Sequence, residues 1–139
     1  SPWSARIARA IQKERKVYLF DAPRIKDPAA RFENMVALEL WRGVTAWSDM
    51  GFGTFTLHFI KNKEQQEVDF LLARDNEPFL LIEAKTSDVQ PTAALKKFQR
   101  ALNVPAVQLV NEGEGYRIFQ NGMQKILVAP AHIWLAGLP

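Results

Sequence analysis

Gln66-Glu67-Val68-Asp69-Phe70-Leu71-Leu72-Ala73, followed by Arg74-Asp75-Asn76-Glu77-Pro78 and then Phe79-Leu80-Leu81-Ile82-Glu83-Ala84-Lys85, is the stretch that decides the fold. The outer segments have strand composition. The middle one is a turn by its Asp, Asn and Pro content. With the turn centred on Asn76, cross-strand partners sum to 152, so Asp69 faces Glu83 and Glu67 faces Lys85. The even positions Val68, Phe70, Leu72, Leu80, Ile82 and Ala84 are all apolar, and that face packs on a core. The odd positions Leu71, Ala73, Phe79 and Leu81 are apolar too, until they reach Glu67, Asp69, Glu83 and Lys85. The pattern predicts a buried central hairpin with a polar patch at one end. A slip of one residue would turn the acids to the wrong face, so the register is well specified.

Directly opposed side chains on a sheet lie about 4.5–5.5 Å apart, and like charges there are destabilising. Two carboxylates facing each other in an apolar sheet share either a proton or a cation. An oxygen-rich site of this kind suits Mg²⁺ or Mn²⁺. Lys85, two residues beyond Glu83, points to the same face, where it can orient a water or offset negative charge. The competing reading is a Glu67–Lys85 ion pair, with Asp69 and Glu83 lining a wet sheet end.

Composition narrows the class. The chain has 139 residues, 47% of them hydrophobic, which is one domain with a real core. It has no cysteine, so disulfides and thiolate metal sites are excluded. No apolar run reaches the roughly 20 residues needed to span a membrane, and no signal peptide is visible. A cytoplasmic location with no membrane partner is the expectation. The chain starts Ser-Pro-Trp without a Met, which suggests a piece of a longer protein. Charge is uneven: residues 1–31 hold eight Lys or Arg and three acids, 8 − 3 = +5, and residues 32–139 hold ten and twelve, 10 − 12 = −2. The basic leader can track a phosphate backbone. The plainer reading, and the favoured one, is a solvated helix and linker remnant over 1–15, with a single domain over 16–139.

Along the chain, residues 4–14 read as helical and Lys16 to Asp21 as a strand. Asp27-Pro28 is a helix start, Asp as the N-cap and Pro at the first helical position. That helix should run to Trp41 or Gly43, with Glu33, Val36, Ala37, Leu40 and Val44 on one stripe. Glu33 is thus an acid aligned with an apolar face, although its place in the first turn also suits the helix dipole. Phe32, Met35 and Leu38 form a second apolar patch. Gly51-Phe52-Gly53 is a turn without the Gly-Lys-Ser/Thr of a phosphate loop. Thr54 to Lys61 alternates as a strand, and His58 on it reads as structural. Thr92 to Leu102 is a helix with Leu95, Phe98 and Leu102 inward, Gln99 beside them, and Lys96, Lys97 and Arg100 outward. Pro105 to Val110 is a strand, parallel to Phe79–Lys85 because a helix lies between them. Asn121-Gly122 marks a hairpin between Tyr116–Gln120 and Gln124–Ala129. The tail from Pro130 adds one helical turn or more.

The order helix, three strands, helix, strand, with Glu33 on the first helix, Asp69 on the second strand and Glu83-Ala84-Lys85 ending the third, resembles the PD-(D/E)xK nuclease-like superfamily. Val68 stands where the motif has proline. A closer resemblance is to DUF4143, the C-terminal domain of bacterial AAA+-type ATPases. It is carried by Lys-Val-Tyr-Leu-Phe-Asp (16–21), Ala-Arg-Phe-Glu-Asn-Met-Val-Ala (30–37), Glu-Val-Asp-Phe-Leu-Leu (67–72), Leu-Ile-Glu-Ala-Lys (81–85) and Val-Ala-Pro-Ala (128–131). The resemblance implies an α/β (α+β) domain with a restriction-endonuclease-like core, a mixed sheet flanked by helices. It also implies an ATPase module in the full-length protein; this chain has no Walker sequence and is not expected to hydrolyse ATP.

The resemblance assigns roles. Asp69, Glu83 and Glu33 would be metal ligands for Mg²⁺ or Mn²⁺, Asp69 and Glu83 acting with the Ala84 carbonyl. Lys85 would position the attacking water, and Asp69, Glu83, Lys85 and Glu33 together form the catalytic set. Lys96, Lys97 and Arg100 would contact nucleic acid. Two functions stay open at this level: a metal-dependent DNA endonuclease, and a catalytically inactive nuclease-fold module that binds partners or nucleic acid for an ATPase.

Overall fold

Asp27 caps the first helix, its carboxylate accepting the Ala29 N–H at 3.2 Å, and Pro28 opens the helix where its missing N–H costs nothing. The computed structural model describes residues 26–62, 66–87, 90–113 and 115–139, together with 11–14, with backbone only at 11–14, 61 and 62. Helix α1 spans Pro28–Asp49. It passes through Gly43, which is buried against Leu138 near the C-terminus, and so outruns the expected end at Trp41 or Gly43. Its buried stripe is Phe32, Val36, Ala37, Leu40 and Val44.

Among the described residues, seven strands form one sheet: β1 (Ile11–Glu14), β2 (Phe55–Asn62), β3 (Glu67–Arg74), β4 (Glu77–Lys85), β5 (Ala106–Val110), β6 (Arg117–Asn121) and β7 (Gln124–Pro130). Their order across the sheet is β1-β2-β3-β4-β5-β7-β6. The β1–β4 part is antiparallel, whereas β5 runs parallel to both β4 and β7. Helix α2 (Ala93–Leu102) makes the crossover between β4 and β5, as expected for parallel neighbours. A short helix α3 (Ala131–Leu135) ends the fold. The architecture is thus the expected mixed α/β one.

Helices cover both faces of the sheet. On one, α1 and α3 pack against Phe70, Leu72, Ile82, Val107 and Leu109. On the other, Leu95, Phe98 and Leu102 of α2 pack against Leu71, Leu81, Ala106 and Ile126. Burying both faces explains why β3 and β4 are nearly continuous apolar runs. Helix α2 is joined to the sheet by polar ties as well. Buried Gln99 of α2 donates to the Lys125 carbonyl at 2.8 Å and accepts from Asn121 Nδ2 at 2.8 Å, and Asn121 Nδ2 also donates to the Lys96 carbonyl at 2.9 Å.

Two expectations about the strands are corrected. Residues 11–14 form β1, paired antiparallel with β2, rather than the end of a helix; the proposed strand at 16–21 and residues 4–10 lie outside the described residues. The strict alternation of the hairpin also fails at two points. Val68 packs on the α2 side although Phe70 and Leu72 pack on the α1 side, and Phe79 packs on the α1 side although Leu81 packs opposite. Each change follows a bulge. Between the pairs His58↔Leu71 and Ile60↔Val68, β2 advances two residues and β3 three. Between Leu72↔Leu80 and Ala73↔Pro78, β3 advances one residue and β4 two. An extra residue reverses the side-chain parity beyond it.

Candidate functional site

The β3–β4 turn is tighter than its composition implies. Asp75 and Asn76 both have positive φ, 50° and 68°, as the two central residues of a two-residue hairpin turn of the I′ kind require. Near the turn the partners therefore sum to 151, as in Arg74↔Glu77. The bulge at Phe79 then restores 152, giving Leu72↔Leu80, Leu71↔Leu81 and Phe70↔Ile82. That register runs as far as Phe70↔Ile82, one step short of Asp69 and Glu83.

At the acid end the strand pairing changes character. The N–H of Ala84 donates not to a backbone carbonyl of β3 but to the Asp69 carboxylate, at 2.9 Å. The β3 bulge lies at this point, between Val68 and Leu71. Bulges re-aim side chains and are common beside functional sites. Here the effect is to bring the Asp69 carboxyl into the gap between β3 and β4, where it hydrogen-bonds the Glu83 side chain.

Glu83 is 4% exposed. Burial raises its pKa to about 9, and the hydrogen bond and negative charge of Asp69 act in the same direction; the Lys85 charge and the Thr92 hydroxyl act in the opposite sense. Glu83 therefore holds its proton at neutral pH. Lys85 is half-buried and close enough for its charge to act on Glu83.

Three further residues complete the surroundings, none of them expected from sequence. The Thr92 hydroxyl donates to Glu83 Oε2 at 3.1 Å and accepts the Leu95 N–H at 3.1 Å, so one side chain caps α2 and holds the acid. The Thr92 N–H donates to Gln108 Oε1 at 3.1 Å, and Gln108 Nε2 donates to the Gln90 carbonyl at 2.7 Å. Gln108 is fully buried and is the β5 partner of Glu83. A polar residue in the middle of the otherwise apolar Ala106–Val110 run is the signal that marks it in the sequence.

The other expected residues sort by face. Lys96 is half-buried, and Lys97 and Arg100 are exposed, on α2, the helix layer that also carries Thr92. Lys97 Nζ donates to Gln66 Oε1 at 2.8 Å, which puts it beside the start of β3, the acid end of the hairpin. Glu33 is half-buried on α1, the helix that covers the opposite face. Among the described residues no group of three or more His, Asp or Glu is gathered closely enough to hold a metal ion, so the cluster is the pair Asp69 and Glu83. Glu67 pairs with Lys61 of β2 and is exposed. With Val68 turned toward α2, alternation puts Glu67 on the other face, and the expected Glu67–Lys85 opposition is not what the bulged strand gives. His58 is half-buried, its Nε2 lying 2.9 Å from Thr56 Oγ1. Among the described residues no helix is long and apolar enough to cross a membrane.

Comparison with solved structures gives a fold match to a chain in a half-complex from a tetradecameric assembly of Thermococcus gammatolerans McrB AAA+ hexamers with bound McrC. The TM-score is 0.53 at 17% identity, over 73% of this chain and 27% of that one. This chain thus spans about a quarter of its structural relative, and the likeness is one of fold. No curated protein matches the sequence. The family model described as "Domain of unknown function (DUF4143)" matches residues 29–132, from the first turn of α1 into α3, and the chain belongs to the DUF4143 family.

Proposed function

We propose that this domain is a nuclease-like partner of an AAA+ ATPase, and that Asp69, Glu83 and Lys85 form a divalent-cation site for phosphodiester hydrolysis. The observation that carries the reading is the hydrogen-bonded carboxyl pair in the gap between β3 and β4, with Lys85 acting on it. The ATPase part of the reading is supported by the structural relative, which comes from an assembly of AAA+ hexamers.

The donor set fits Mg²⁺ or Mn²⁺. Asp69, Glu83 and the Ala84 carbonyl are hard oxygen donors, and Mg²⁺ keeps several waters while needing only one or two carboxylates. The proton that Glu83 holds marks a place where positive charge is favoured over a bare carboxylate. When bound, the cation supplies Lewis acidity and a water of lowered pKa. The chain's own residues do the rest. Glu83 would release its proton to solvent to serve as a ligand. Lys85 orients water and offsets charge on the phosphate oxygens. Glu33 acts from the other layer through water. Lys96, Lys97 and Arg100 hold the nucleic-acid backbone along the outer side of α2.

A second reading is favoured by one feature. Glu83 is deeply buried and already bonded to both Asp69 and Thr92. A pair satisfied in this way can serve as a structural buckle in a non-catalytic module that binds partners or nucleic acid.

Plasmid nicking separates the two. The domain alone, and the domain joined to its ATPase module, are assayed with Mg²⁺ and Mn²⁺. Cleavage that disappears in both Asp69→Ala and Lys85→Ala, with cation binding retained in Lys85→Ala alone, supports the nuclease. Wild type and Lys85→Ala giving the same result in both formats leaves the accessory module.

A further inference from the structure

We propose that Thr92 is a positioning residue for Glu83, and that Gln108 in turn positions Thr92. The proposal rests on the cation-site reading for its purpose but not for its geometry. Glu83 ends in two oxygens, and its own chemistry does not fix which of them carries the proton. Something must decide which one meets Asp69 and which one turns away. Thr92 does this by donating its hydroxyl proton to Oε2 at 3.1 Å.

The hydroxyl is itself oriented. Its oxygen accepts the Leu95 N–H at 3.1 Å, so its lone pair is committed to the helix cap and its proton is left for the carboxyl. Rotation of Thr92 would cost both bonds together. The backbone of Thr92 is fixed one step further back, where its N–H meets Gln108 Oε1 at 3.1 Å. Gln108 cannot turn over, because its amide nitrogen is bound to the Gln90 carbonyl at 2.7 Å and its side chain is fully buried. A flipped amide would set carbonyl against carbonyl and N–H against N–H. The chain Gln90–Gln108–Thr92–Glu83 thus runs from the loop after β4, through β5, to the start of α2 and back to β4.

Outer partners of this sort commonly change metal affinity 10–100-fold. The arrangement also ties the first turn of α2 to the acid pair, so the helix that carries Lys96, Lys97 and Arg100 is held in a set relation to Glu83 by a hydrogen bond rather than by apolar packing alone.

The test uses the whole chain as wild type, Thr92→Val and Thr92→Ser. Valine keeps the shape and loses the hydroxyl; serine restores it. Two quantities are read: the carboxyl ¹³C shift of Glu83 in cation-free protein, and Mn²⁺ affinity by calorimetry. Thermal unfolding runs alongside, to confirm that each variant is folded at the temperature used. The expected result is a displaced Glu83 signal and a loss of about tenfold or more in Mn²⁺ affinity for Thr92→Val, both returning toward wild type in Thr92→Ser. A Glu83 signal that moves in a protein that binds no Mn²⁺ upholds positioning and removes the cation-site reading. Wild-type Mn²⁺ affinity and an unmoved Glu83 signal in folded Thr92→Val overturn positioning and leave the cation site standing. Equal loss in Thr92→Val and Thr92→Ser also overturns it, since the hydroxyl would then not be the active part. Should Thr92→Val fail to fold, Gln108→Glu takes its place. It removes the amide donor to Gln90 and should displace the Glu83 signal in the same way; an unmoved signal there counts against the proposal.

Discussion

Replacing Glu83 by Gln should make the protein more stable at neutral pH, and the size of the gain follows from the site. In the native chain Glu83 holds a proton, hydrogen-bonds Asp69 and accepts from Thr92. A Gln side chain has the same shape, donates to Asp69 through its amide and accepts from Thr92 through its carbonyl oxygen, but does not titrate. The native pKa is about 9, against 4.5 for the unperturbed group. Between those values the native state binds one more proton than the unfolded chain, so wild-type stability falls as pH rises. The stabilisation is complete below the unfolded pKa and is lost as pH climbs through the folded one. Each unit of that interval is worth at most about 1.4 kcal/mol, so between pH 4.5 and 7 the wild type loses ~3 kcal/mol that Glu83→Gln keeps. In a domain of this size that is roughly 10 °C in Tm. The assay is urea unfolding of both proteins in EDTA across the interval between the two pKa values. The gap between them should widen with pH in favour of the variant. A gap that stays constant, or widens in favour of wild type, would refute the protonated, buried Glu83.

Other outcomes are expected from the same geometry. Excess Mn²⁺ or Mg²⁺ should raise the wild-type Tm, by an amount equivalent to about 2.7 kcal/mol at 100 times the dissociation constant, and leave Asp69→Ala unchanged in a thermal melt. Asn121→Ala strands the buried Gln99 carbonyl oxygen and should cost about 1–3 kcal/mol by denaturant titration, with no effect on cation affinity. Lys96→Ala with Lys97→Ala should weaken nucleic-acid binding and flatten its salt dependence by about 0.9 for each phosphate no longer neutralised, read by fluorescence anisotropy at several salt concentrations. Glu33→Gln should reduce nicking less than Asp69→Ala does, because Glu33 stands outside the carboxyl pair.

The sequence is most legible where structure is decided locally. Asp27 caps its helix because a helical apolar pattern follows it, and that cap is present; Thr92, expected as the first residue of the next helix, is its cap instead. The parallel β4–β5 pair follows from the intervening helix, and the polar end of an apolar hairpin marks the Asp69–Glu83 pair. What escapes a sequence reading depends on partners distant in the chain. Gly43 stays inside α1, where Leu138 covers it, and no local signal distinguishes it from a terminator. β1 exists by pairing with β2, about fifty residues away, against a weak local helical pattern. The bulges have no compositional mark at all, so alternation alone puts Val68 and Phe79 on the wrong faces. The expected register nevertheless survives, because the tight Asp75-Asn76 turn and the Phe79 bulge each shift it by one residue and together give 152. Thr92 and Gln108 are legible only as a helix start and as a polar interruption, since their common target is on another strand.

The bulge in β3 also sets an electrostatic balance. In a regular strand Glu67 would share a face with Asp69, ~7 Å along the chain, and the gap would hold three acids. The extra residue turns Glu67 away from that face; its backbone partner on β2 is Lys61. Two carboxyls and one proton carry a single negative charge. On the proposed loading, a dication in place of that proton brings the pair to neutrality, and Lys85 makes the sum positive. With a third acid the sum would have stopped at zero. On that proposed reading, one inserted residue in a strand decides whether a phosphodiester would meet attraction or none.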